Sequence, residues 1–81
     1  MEVKMIYAKL TKIFRDLFDN DSIVLTPETT AKDVEGWDSL AHITLIVTIE
    51  RTFKMKFKMK EVSSMKNVGQ MVAIIESRSK L

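Results

Sequence analysis

Ser39 is the residue whose setting most invites chemistry. It stands in the run Gly36-Trp37-Asp38-Ser39-Leu40-Ala41-His42-Ile43, where a helical pattern begins. A serine at a helix start is ordinarily only a cap, and that reading stands open here. Three further features gather around it: a long acidic stretch before it, a glycine and a tryptophan shaping the turn, and a helix behind it that is apolar nearly all round. His42 lies three residues on, but the two side chains diverge by about 60° on a helical wheel and no acid is placed to orient the ring. No nucleophile–base pair, acid pair or phosphate-cradling glycine loop occurs elsewhere. The chain has no cysteine and one histidine, which removes disulfides, thiolate chemistry and a His-rich metal site. Catalytic residues and metal ligands are therefore not expected.

The elements that must position it follow from periodicity. Ile6, Leu10, Ile13, Phe14 and Leu17 recur at spacings of three and four, which predicts a helix over residues 2–18. The run Asp19-Asn20-Asp21-Ser22 ends it. Residues 19–38 make a long connection, tethered to the core by Ile23, Val24, Leu25, Val34 and Trp37, with a short helical turn near Thr30–Val34. A second helix runs from Ser39 to about Phe53, with Asp38 placed to cap its first turn and to face the positive end of its dipole. Residues 53–60, FKMKFKMK, alternate like a strand, but nothing else in the chain offers a strand partner. They are expected to form an extended loop, the stripe Met55/Phe57/Met59 packing inward. A short third helix is expected over Met59–Met65. Asn67 and Gln70 fit a capping box that opens a last helix over 67–79, its stripe being Val68, Met71, Val72 and Ile75. The whole is one domain, residues 1–81, all-α, with three main helices, one short helix and a long first loop.

The second helix carries two apolar faces. Leu45, Ile46, Ile49 and Phe53 share one, the expected core face; His42 falls near it and reads as a packed, hydrogen-bonded histidine. Leu40, Ile43 and Val47 share another, beside Ser39. A small helical domain has little means to cover both, so the second stripe is expected to be a docking surface, with Trp37 beside it. The alternative is that the long loop covers it.

The run GWDSLAHI resembles the attachment motif of acyl carrier and peptidyl carrier proteins. The family signature Asp-Ser-Leu at the start of the second helix is matched by Asp38, Ser39 and Leu40. Phe53 matches the aromatic that ends that helix, and Val68-Gly69 the Val-Gly that opens the last one. The resemblance covers essentially the whole chain. It implies a small four-helix carrier bundle and a 4′-phosphopantetheine arm, taken from coenzyme A by a phosphopantetheinyl transferase and attached to the Ser39 hydroxyl. Asp38 would support the transferase. It further implies a stand-alone, cytoplasmic, monomeric carrier, loaded by an acyl- or aminoacyl-loading ligase and served by downstream transferases.

The chain departs from the fatty-acid type of that family. Positions following the serine that commonly hold acids hold Ala41, Thr44, Arg51 and Thr52, and only Glu50 keeps one. Net charge is +2, and the charges are segregated: residues 16–38 are acidic and the stretch from Arg51 onward is Lys-rich. A specialised pathway is expected rather than bulk fatty-acid synthesis. A structural helical bundle and a small basic nucleic-acid-binding module remain the alternatives, the second disfavoured by the acidic loop, which would repel a phosphate backbone. No apolar run approaches the roughly 20 residues that span a bilayer.

Overall fold

A computed structural model describes residues 2–80. Four α-helices account for most of them: α1 (Val3–Leu17), α2 (Ser39–Phe53), α3 (Met59–Ser64) and α4 (Val68–Arg78), with a 3-10 turn at Ala31–Asp33 inside the first connection. Among the described residues there is no strand, and the alternating run after Phe53 is a loop as its lack of a partner requires.

The apolar periodicity of α1 makes it the hub. Ile6, Leu10 and Phe14 are buried along one face, and the helix packs against both α2 and α4. Leu45, Ile49 and Phe53 of α2 and Val68, Met71, Val72 and Ile75 of α4 complete a single cluster with them. Helix α3 contributes no fully buried side chain.

The long connection is ordered by specific bonds. Arg15 Nε donates to the Ile23 carbonyl at 3.0 Å, and the buried Thr29 hydroxyl accepts the Thr26 N–H at 2.9 Å. Val68 N–H donates to the Thr29 carbonyl at 2.9 Å and Gly69 N–H to the Pro27 carbonyl at 3.0 Å, which bolts the loop to the start of α4. A Cβ on Gly69 would stand 3.0 Å from that carbonyl oxygen, a tight contact, so this approach favours glycine. Ile23, Leu25 and Val34 are buried as tethers, but Val24 is 72% exposed. Successive residues of an extended segment point to opposite sides, so the neighbours on either side of a residue facing outward take the core.

Two other expectations are corrected. In the loop after α2, Met55 is buried and Phe57 half-buried, but Met59 is 88% exposed, because the extended run stops at Lys58 and Met59 begins α3. At α4, Asn67 caps as expected, its Oδ1 accepting the Gln70 N–H at 2.9 Å. The return bond is displaced by one residue: Gln70 Oε1 takes the N–H of Lys66, not of Asn67.

Helix α3 is held at its start. Glu61 Oε1 accepts the Lys58 N–H at 2.8 Å, and both Glu61 oxygens receive Arg78 of α4 in a two-pronged pair. The Arg78 hydrogen bond first, and the Lys58 N–H second, hold the Glu61 carboxyl at about 2, below its ordinary 4.5. A depressed folded value gives stability that is present above the ordinary value and lost as pH falls through the folded one. Thermal melts between pH 5 and about pH 2 are thus expected to show a decline that Glu61→Gln flattens; an unchanged slope in the variant would remove the clasp from the acid response.

Candidate functional site

Ser39 is the first residue of α2. Gly36 sets up the approach: at φ +91° it holds a conformation that side-chain-bearing residues rarely adopt, which lets Asp38 N–H reach back to the Gly36 carbonyl at 2.9 Å. Asp38 then caps α2, one carboxylate oxygen (Oδ1) accepting the Ala41 N–H at 2.9 Å. The other oxygen and the exposed Ser39 hydroxyl make no hydrogen bond among the described residues. One cap leaves further N–H groups of the first turn without helical partners, so this end of α2 keeps a positive potential that suits an anion.

Trp37 and His42 form a link behind the serine. The Trp37 ring meets Phe14 edge-on at 5.1 Å and stacks on the His42 ring at 5.9 Å. Trp37 Nε1–H donates to His42 Nδ1 at 3.0 Å, and His42 Nε2 stands 3.0 Å from the Val62 carbonyl of α3. An indole N–H only donates and a carbonyl only accepts, so the geometry requires a bare Nδ1 and a proton on Nε2. The link joins the first loop, α2 and α3. Ring 15N shifts are expected to show that tautomer. Trp37→Phe, which keeps an aromatic ring, smaller than the indole, but strands Nδ1, is expected to cost at least about 1–2 kcal/mol in urea unfolding; a cost near zero would mean the bond contributes nothing.

Beside the serine lies an open groove of about 530 Å³, which Ser39, Asp38 and His42 help to line. Ala31, Trp37, Ile43, Val62, Met65 and Met71 supply its apolar wall. Its rim carries Ser63, Lys66 and Asn67. The groove suits a flexible, partly apolar chain anchored as a phosphate ester at the helix start: free hydroxyl, positive helix end and apolar channel adjoin, with no carboxylate but that of Asp38 in the lining.

The candidate docking residues divide. Leu40, Ile43 and Val47 are 78%, 58% and 41% exposed, and the long loop does not cover them. Their opposite numbers Leu45, Ile46, Ile49 and Phe53 are buried. Trp37 does not share the stripe: it is half-buried, packed on Phe14, Phe18 and His42 as a groove wall. Sequence reasoning missed the α3 and α4 side of the site. Val62 acts through its backbone carbonyl, which carries no residue signature, and Met65 and Met71 become wall only through packing.

The chain matches the family model described as the phosphopantetheine attachment site over residues 8–75. It is also similar to the solution NMR structure of a holo acyl carrier protein from Geobacter metallireducens, at 47% identity and a TM-score of 0.83. That match covers 89% of this chain and 83% of the other.

Proposed function

As a member of the phosphopantetheine-attachment family, the chain is a carrier rather than a catalyst, with 4′-phosphopantetheine as its prosthetic group, and from that premise we propose that Ser39 is the residue that bears the arm. The observation that carries this is the free, exposed Ser39 hydroxyl at the start of α2, beside the groove. When bound, the group supplies a terminal thiol that holds cargo as a thioester, chemistry that a chain without cysteine does not possess by itself. Ser39 Oγ would attack the pantetheine-bearing phosphate of coenzyme A; the pyrophosphate P–O bond breaks, adenosine 3′,5′-bisphosphate leaves, the arm is left as a phosphodiester on Ser39, and the serine proton passes to a base that the transferase provides. The N–H groups of the first turn of α2 that the single Asp38 cap leaves over offer that phosphate hydrogen-bond donors. Asp38 holds the helix start with one oxygen and presents the other to the transferase, where it can help hold a metal ion.

A carrier of this type works with a phosphopantetheinyl transferase and with acyl-handling enzymes. We assign this one to a specialised pathway, with an acyl- or aminoacyl-loading ligase and downstream transferases as its clients. The support is the second helix, whose exposed face carries no acid. Glu50, the one acid retained late in α2, is turned away: Oε2 accepts the Phe57 N–H at 2.9 Å and Oε1 pairs with Lys56 at 3.9 Å. Leu40, Ile43 and Val47 dock the client. The single core cluster supports reading residues 1–81 as one carrier domain, and we assign it to the cytoplasm, a compartment that supplies coenzyme A.

Incubation with coenzyme A and a broad-specificity transferase, followed by intact mass, is the test. One phosphopantetheinyl group should be gained and should map to the peptide containing Ser39. No gain with several transferases would overturn the assignment.

A further inference from the structure

The alternating run after α2 serves neither Ser39 nor its groove. Its period of two puts Lys54, Lys56 and Lys58 outward, while Met55 is buried and Phe57 half-buried. Lys60 follows, exposed, in the first turn of α3. The acids that flank the run, Glu50 and Glu61, are both turned into the fold. Glu50 accepts the Phe57 N–H, and Glu61 accepts the Lys58 N–H while it holds Arg78. Lys56 stands 3.9 Å from Glu50, and among the described residues Lys54, Lys60 and Lys80 make no ion pair. An open hollow of about 470 Å³ adjoins the run, where Lys54, Lys56, Arg78 and Lys80 face the one acid Glu50. Between Lys58 and Lys60, Met59 is 88% exposed.

We propose that this end of the molecule docks on an anionic lipid bilayer: the lysines meet headgroup phosphates, the hollow takes one of them, and Met59 enters the apolar boundary below. Lysines along an extended run have an ordinary use, which is to keep its edge from pairing with another chain. That use gives no reason for a nearly fully exposed apolar side chain between two of them. A nucleic acid gives none either, since a base stacks on an exposed aromatic ring and Phe57 is half-buried. A cationic cluster around an apolar tip suits the boundary between headgroups and acyl chains. The other charges favour the same orientation. From Arg51 onward the only acids are Glu61 and Glu76. Exposed Asp19, Glu35 and Asp38 lie at the opposite end, where Phe18 meets Trp37, and an anionic surface repels them. Along α2, Ser39 lies about 22 Å from Lys54. A chain docked by its lysines therefore leaves Ser39 and its groove on the aqueous side.

The test is sedimentation of the holo protein with vesicles of phosphatidylglycerol and, separately, of phosphatidylcholine. The protein should pellet with the first at low salt and not with the second, and about 0.5 M salt should release it. A lysine at an anionic surface contributes about fivefold to binding, so K54Q/K58Q/K60Q should bind about a hundredfold more weakly. M59S, with its charge unchanged, should lose several-fold. In phosphatidylglycerol bicelles that carry a nitroxide lipid, amides of residues 54–60 should broaden before those of residues 39–47. No pelleting, equal pelleting with the two lipids, undiminished binding by M59S, or broadening led by residues 39–47 would overturn the proposal. So would binding to duplex DNA or to a polyglutamate peptide that is as tight as to vesicles and indifferent to M59S; the lysines would then serve a nucleic acid or an acidic protein. The comparisons on the unsubstituted chain and on M59S stand whether or not the triple variant folds. Arm uptake measured by mass tests the carrier reading separately, and neither result depends on the other.

Discussion

Ser39→Ala is expected to abolish arm uptake completely while leaving the fold intact. The hydroxyl is the acceptor atom, and two other hydroxyls on the groove and on α2, those of Ser63 and Thr44, already donate to the backbone carbonyls of Lys60 and Leu40. The helix does not depend on the serine. Its cap is Asp38, and Ser39 is exposed with no bond of its own among the described residues. Alanine is also a better helix former than serine. Intact mass should show no gain under conditions that convert the unsubstituted chain, and far-ultraviolet circular dichroism should superimpose. A variant that still gains the arm would move the attachment to another hydroxyl; one that loses its helix signal would return Ser39 to a merely structural role.

Phe53→Ala should have the largest effect on stability. The side chain is fully buried at the end of α2, in the cluster shared with α1 and α4. Its carbonyl also accepts the Lys80 N–H at 3.1 Å and the Ser79 hydroxyl at 3.2 Å, so the ends of α2 and α4 are joined at this residue. Removing a buried phenyl ring costs about 3–5 kcal/mol. At about 0.05–0.15 kcal/mol per residue a chain of this size has only about 4–12 kcal/mol in all. With a urea dependence near 1 kcal/mol per molar, the unfolding midpoint should fall by about 3 M or more, or the variant should be largely unfolded without urea. A fall below about 1 M would mean that the core closes over the gap and that Phe53 is not a keystone.

Local chemistry carried the sequence reading a long way, and the residues show why. The α1 stripe, the Asp38 and Asn67 caps and the turn ahead of α2 are decided by neighbours within a few positions, and each formed within one or two residues of its expected limits. The two faces of α2 were legible for the same reason. A helix has a fixed angle per residue, so Leu40, Ile43 and Val47 must point away from Leu45, Ile46, Ile49 and Phe53. Alternation was the weaker guide. It grouped Met59 with Met55 and Phe57, while leaving it unused grouped Val24 with Ile23 and Leu25; both Met59 and Val24 are exposed. A period of two states which side chains share a side, but not which side the core takes, nor where the extended run gives way to a helix.

By itself, then, the sequence determined the helices, the Asp38 and Asn67 caps, the serine at the start of α2 and the second apolar face beside it, because each depends on backbone geometry and near neighbours; that the hydroxyl is free and the face uncovered came from the structure. Only the tertiary structure decided the rest. It brought the Val62 carbonyl of α3 to His42, twenty positions away, paired Glu61 with Arg78, turned Glu50 off the exposed face, and closed Val62, Met65 and Met71 against α2 to make the groove. Those contacts join segments far apart in the chain, and their partners include backbone carbonyls that every residue carries. Which of them meet is settled by how α1 holds α2 and α4 together, and no periodicity along the chain records that.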